Sequence, residues 1–110
     1  MEYVDVAKVG DVPPGKGMVF TVEDKELAIF NVDGTFYAMD NACLHQGLAL
    51  GTSRIDGKIV TCRGHGWRYN VTTGSTLHVP GYGVATYPVK VTDGKITVAV
   101  RFPHPSSVSR

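Results

Sequence analysis

Two short stretches, Cys43-Leu44-His45 and Cys62-Arg63-Gly64-His65, hold the only two cysteines of the chain and two of its four histidines. Sixteen residues separate them. Glycine attends both pairs, with Gly47 after the first and Gly64 and Gly66 on either side of His65. Glycine lets a backbone bend tightly and come close to a bulky inorganic group. Two loops of this kind, each with one thiolate and one imidazole, suit a metal centre. A Cys43–Cys62 disulfide is the competing reading. The opening MEYVDVAKVG has no basic stretch followed by an apolar one, so a secretory signal is not expected. That points to the cytoplasm, where thiols stay reduced, and so to ligation.

The chain has 110 residues, enough for one domain. A domain of this size buries a modest share of its surface, so a bound metal would help it stay folded. The net charge of +1 calls for neither nucleic acid nor an anionic membrane. No apolar run reaches the roughly 18 residues of a membrane span.

Most of the apolar pattern is strand-like. Residues 18–23, 27–32, 36–39, 58–62, 84–91 and 95–100 are short and rich in Val, Ile, Thr, Tyr and Phe. Asp-Gly pairs punctuate them at 33–34, 56–57 and 93–94, a dipeptide that tolerates the positive φ of a type I′ turn. Hairpins are expected at 33–34 and 93–94. Pro88 cannot donate to a ladder, which places 84–91 at a sheet edge or gives it a bulge. No long segment has a helical period, although 40–50 has room for a short turn. The expected fold is all-β, an antiparallel sandwich or barrel of short strands. Its glycine-rich middle, roughly 40–83, contains both Cys/His pairs. Residues 103–110, polar and rich in Pro and Ser, read as a flexible tail.

One motif is a decoy. Residues 10–17, GDVPPGKG, nearly spell a phosphate-binding loop. Gly17 offers no hydroxyl for magnesium, and Pro13 and Pro14 lack the N–H groups that would cradle phosphate. A turn leading into the strand at 18 is the better reading.

Two metals fit the pairs. Zinc accepts two thiolates and two imidazoles, but usually from a first pair of Cys-x₂₋₄-Cys followed by paired histidines. A [2Fe–2S] cluster with thiolates on one iron and imidazoles on the other needs each loop to serve both irons, as here.

The pattern resembles that of the Rieske-type ferredoxins: Cys-x-His, fifteen to seventeen residues, then Cys-x-x-His. Gly47, the run HGWRY at 65–69, Thr73-Gly74 and the proline-containing VPGYG at 79–83 add to the likeness, which spans nearly the whole chain. The resemblance implies a Rieske-like fold with an inserted cluster-binding part, a base of 1–39 and 84–102 and a cluster part of 40–83. It implies one [2Fe–2S] cluster, with Cys43 and Cys62 on the inner iron and His45 and His65 on the outer, exposed one. The loop at 79–83, with Pro80 and Gly81, would cover the cluster.

Departures from the family pattern sharpen the expectation. Respiratory and photosynthetic members carry a further cysteine in each loop. Leu44, Gln46, Arg63 and Gly64 stand here instead. Those members also have a hydroxyl residue two positions after the second histidine, which here is Trp67; Tyr69 does match one of their aromatic positions. A low potential follows, near about −150 mV. The resemblance then implies an electron carrier rather than an enzyme. Its partners would be a flavoprotein NAD(P)H reductase and a terminal, aromatic-ring hydroxylating oxygenase. The small subunit of an NAD(P)H nitrite reductase is the alternative within the family. A zinc-stabilised interaction domain is the alternative outside it.

The remaining residues carry weaker signals. Trp67 either packs beneath the loops or meets a partner, since tryptophan is enriched at interface centres. Gln46 is a candidate rim contact. Arg63 is a solvated loop residue or a charge that selects an acidic partner. His78 and His104 read as surface histidines.

Overall fold

The computed structural model describes residues 2–41, 50–51, 54–62, 67–77, 81 and 83–101. Among the described residues ten strands follow one another: β1 Glu2–Lys8, β2 Gly17–Val22, β3 Lys25–Val32, β4 Thr35–Asp40, β5 Arg54–Asp56, β6 Ile59–Thr61, β7 Arg68–Asn70, β8 Thr86–Tyr87, β9 Val89–Thr92 and β10 Lys95–Arg101. Among the described residues the one helical element is a single 3₁₀ turn, Val9–Asp11. No helix there is long and apolar enough to cross a membrane.

The strands form three antiparallel sheets, in the orders β1-β10-β9, β2-β3-β4-β8 and β5-β6-β7. Two apolar cores separate them. Leu27 and Ile29 of β3, Phe36 and Ala38 of β4 and Ile96, Val98 and Val100 of β10 fill the first, between the first and second sheets. Ala28 and Phe30 of β3, Met39 of β4, Val60 of β6 and Tyr69 of β7 fill the other, between the second and third. Alternation along β3 therefore feeds both cores, and Leu27 through Phe30 are all fully buried. That explains why the sequence reads there as a continuous apolar run rather than an alternating one. Burial of each such Leu, Ile or Phe side chain contributes about 1.5–3 kcal/mol.

The expected all-β antiparallel architecture is what forms. The Asp33-Gly34 and Asp93-Gly94 turns are two-residue hairpin loops, with φ of 52° and 92° in one and 51° and 76° in the other. The expected strand 18–23 instead ends at Val22, which pairs with Lys25 across Glu23-Asp24. Both turn residues take positive φ, 49° and 72°, without a glycine. The expected strand 84–91 is divided. β8 pairs with β4 in the second sheet, and β9 pairs with β10 in the first. Pro88 lies between them, where the chain leaves one sheet edge for another, and its carbonyl still accepts from the Ala99 N–H at 3.0 Å. β1, β5 and β7 were not visible as apolar runs, because each is short or partly polar. The GDVPPGKG segment is a turn, as expected. Gly15 donates to the Asn31 carbonyl, Asn31 donates to the Lys16 carbonyl, and the Asn31 side chain reaches the Val12 carbonyl.

Candidate metal centre

Of the four candidate ligands, Cys62 is within the described residues; Cys43, His45 and His65 lie outside them, as do Gln46, Arg63, His78, Pro80 and the segment 103–110. Cys62 directly follows β6. It is 1% exposed and belongs to the second core, with Phe30, Met39, Leu50 and Tyr69. Its backbone N–H donates to the Trp67 carbonyl at 2.7 Å. That bond extends the β6–β7 ladder beyond the Thr61–Arg68 pair and closes the base of the segment that carries His65. Trp67 is half-buried and packs against the same core, so the packing reading of this residue holds for part of its surface. Tyr69 is fully buried. Gly81 is exposed with a φ of +84°, which suits glycine at that point.

The segment carrying Cys43 and His45 is tied at its base by Asn41, a residue the sequence did not single out. The Asn41 carbonyl accepts from the Leu50 N–H at 2.6 Å. Its side-chain Oδ1 accepts from the Gly51 N–H at 2.8 Å, and its Nδ2 donates to Glu26 Oε1 at 3.2 Å. Asn41 is buried, and its bond to the Gly51 N–H is made away from water, whereas Glu26 is exposed. Gly51 lies close to Val19, Asn41 and Met18, leaving no room for a Cβ. Just before Asn41, Asp40 Oδ1 accepts from the Tyr87 hydroxyl at 2.6 Å. Burial, and then the Asp40 carboxylate, hold the Tyr87 pKa well above its ordinary value.

A second asparagine organises the approach to the proposed cover loop. Asn70 Oδ1 accepts from the Thr72 N–H and hydroxyl, and its carbonyl accepts from the N–H groups of Thr73 and Gly74. The Gly74 carbonyl then accepts from the Val84 N–H at 2.8 Å, and Ser75 bridges to Gly83. A Cβ on Gly74 would collide with the Val84 carbonyl, and one on Gly83 with the Gly74 carbonyl. The two ends of residues 76–82 are thereby joined backbone to backbone. Nothing in the apolar pattern marks Asn41 or Asn70. Their signal is an Asn at the end of a strand, which many turns share.

A buried thiol at the root of one tied loop, with a second cysteine and two histidines on the neighbouring segments, is a soft and borderline donor set that fits an iron–sulfur cluster. A model of the Rieske [2Fe–2S] domain family matches residues 2–88. The ferredoxin component of a naphthalene 1,2-dioxygenase system from Pseudomonas aeruginosa is 33% identical over 98 residues, covering 88% of this chain and 94% of that one. A chain in a solved complex of reduced oxygenase and oxidized ferredoxin, from carbazole 1,9a-dioxygenase, superposes with a TM-score of 0.79. It is 30% identical and covers 87% of this chain and 100% of its own. A structure described as the small subunit of an NADH-dependent nitrite reductase, from Mycobacterium tuberculosis, has a TM-score of 0.80. At 24% identity over 88% of this chain and 93% of its own, it attests the fold alone.

Proposed function

The chain belongs to the Rieske [2Fe–2S] domain family, and from that premise we propose that it carries single electrons from a flavin-dependent NAD(P)H reductase to a terminal, aromatic-ring hydroxylating oxygenase. The observation that carries this reading is near-full-length similarity to the ferredoxin component of a dioxygenase system. The matching ferredoxin chain that is solved together with an oxygenase supports it. The nitrite reductase alternative has only a shared fold behind it. The zinc alternative gives way because the cofactor of the family is a [2Fe–2S] cluster.

Cys43 and Cys62 would hold the inner iron, and His45 and His65 the outer one. When bound, the cluster supplies a one-electron couple, at a potential raised above that of an all-cysteine cluster because neutral imidazoles replace two thiolates. The chain's own residues do the rest. Burial of Cys62 in the second core excludes water from the thiolate side. Asn41 and the Cys62–Trp67 bond fix the bases of the two ligand segments. Gln46, Trp67, Pro80 and Gly81 would form the rim that covers the cluster and meets partners. The first and second sheets, from 1–39 and 84–102, act as a base for the part that spans 40–83. The cytoplasm, where the two thiols stay reduced, is the compartment this chemistry suits.

The test is an EPR spectrum of dithionite-reduced protein expressed with iron supplied. The expected result is a rhombic signal with the low average g of mixed Cys/His ligation. A midpoint potential near about −150 mV should accompany it. A silent spectrum from protein that contains zinc and no labile sulfide would remove the electron-carrier reading. A midpoint above about +100 mV would move the chain to the high-potential branch.

A further inference from the structure

Among the described residues the three sheets have six edge strands: β1, β9, β2, β8, β5 and β7. An unpaired edge is a template for another chain, and proteins blunt it with a charge, a proline, a bulge or brevity. Five of the six are blunted. β1 carries Asp5 and two register shifts. β9 carries Lys90, and β8 is two residues long and stops at Pro88. β5 and β7 carry Asp56 and Arg68. β2 has none of these devices. Its residues, GMVFTV, are uncharged, and it pairs with β3 from Gly17 to Val22 without a shift.

The register decides which groups of β2 face outward. Val22 and Lys25 flank a two-residue turn and so exchange both bonds of their pair. Bonding residues then alternate as Val22, Phe20 and Met18, and the Asn31 N–H, donating to the Lys16 carbonyl at 3.0 Å, continues the series. The N–H and C=O groups of Gly17, Val19 and Thr21 point away from β3 and form no bond among the described residues. Met18, between them, is 42% exposed.

We propose that this edge is a self-association site, at which β2 pairs antiparallel with β2 of a second copy about a two-fold axis at Val19. The axis sets Gly17 opposite the partner's Thr21, so the outward donors of one copy meet the acceptors of the other. It sets Met18 opposite the partner's Phe20, a thioether against an aromatic ring, which covers the exposed methionine. It also sets Lys16 diagonal to the partner's Asp24 at both ends of the pair. Lys16 and Asp24 are exposed, and neither forms an ion pair among the described residues. This self-complementarity of charge favours a second copy over a strand of another protein. The contact uses no residue of the segment 40–83 and does not depend on what a cluster there does.

Sedimentation equilibrium of the full chain, expressed with iron supplied, tests the pairing from about 1 µM to about 500 µM. The expected result is a mass that rises from 11.8 kDa toward twice that value. Amide exchange at Val19 and Thr21 should slow as concentration rises, while Met18 and Phe20 exchange slowly throughout. Thr21→Pro removes an outward donor without touching the β2–β3 ladder and should raise the dissociation constant at least about tenfold. Lys16→Glu should raise it roughly threefold to tenfold, because the change acts at both ends, and adding Asp24→Asn should recover much of the loss. Val91→Lys, at an exposed position of β9, should leave it unchanged. Far-UV circular dichroism checks the fold of each variant. A parent still monomeric at about 500 µM would overturn the proposal and leave the edge to an extended segment of another protein. A dimer that survives Thr21→Pro, or a Lys16→Glu loss that Asp24→Asn does not relieve, counts against it equally. A chain that dimerises in this way but has no iron–sulfur absorption refutes the carrier reading and leaves the self-pairing standing.

Discussion

Asn41 makes four hydrogen bonds at the root of the first Cys/His segment, its N–H donating to the Glu26 carbonyl at 3.1 Å among them, and each has a definite direction. Asn41→Ala removes the acceptor for the buried Gly51 N–H. It should lower stability by about 1–3 kcal/mol in chemical denaturation and reduce the iron bound per chain. Asn41→Asp keeps that acceptor but sets a carboxylate against Glu26; adding Glu26→Gln reverses the donor and acceptor and should restore the iron content. A double variant no better than Asn41→Asp would show that the Glu26 contact is incidental. Tyr87 offers a pH test. Its folded pKa lies above its unfolded value of 10.0. The folded state thus holds the phenol proton more tightly, and this contribution is complete below the unfolded value and lost as pH rises from there through the folded one. Melting temperatures should fall more steeply above about pH 10 in the parent than in Tyr87→Phe. At this scale the two Cys/His pairs stand out in the sequence as candidate ligands because those residue types are scarce and closely spaced. Asn41 and Tyr87 do not, because their roles depend on partners 10 and 47 residues away.

Turns and short strands decide the next level. Gly74, at a φ of +79°, lies against the Val84 carbonyl with no room for a Cβ. Gly74→Ala combines backbone strain with a backbone clash and should cost about 2 kcal/mol or more, read as a lowered denaturation midpoint. Gly57→Ala has strain alone, with open space around it, and should cost less. If the two cost the same, the close approach of Gly74 to Val84 contributes nothing. The Asp-Gly hairpins were readable because the glycine declares the positive φ in advance. The Glu23-Asp24 turn was not. Its left-handed backbone is imposed by the pairing of β2 with β3, and residue type alone gave no reason to end the strand at Val22. Pro88 was read as an edge or bulge, and the strand on each side of it is indeed an edge strand. That they belong to different sheets is a property of the sheet stacking, to which a local pattern is blind.

Among the described residues one core lies between the first and second sheets, and the other contains Cys62. Removing the cluster should therefore act unequally. In hydrogen exchange, chelation of the iron should release amide protection in β5, β6 and β7, while β1 and β10 keep theirs. Uniform loss across both cores would mean that the molecule unfolds as one unit without its cofactor. The layered arrangement also has a consequence for β3, which serves both cores at once. In a strand with one wet face, polarity fixes the register, because a slip by one residue puts apolar groups into water. Over its central four residues β3 has no such safeguard, since Leu27 and Ile29 on one side and Ala28 and Phe30 on the other are equally apolar. A slip would instead exchange two medium-sized side chains for one small and one large. What tells these four residues which way to face is therefore volume, because the two chambers they divide differ in the shapes they admit; Asn31, bonded to the Val12 carbonyl, adds one polar key at the end of the strand.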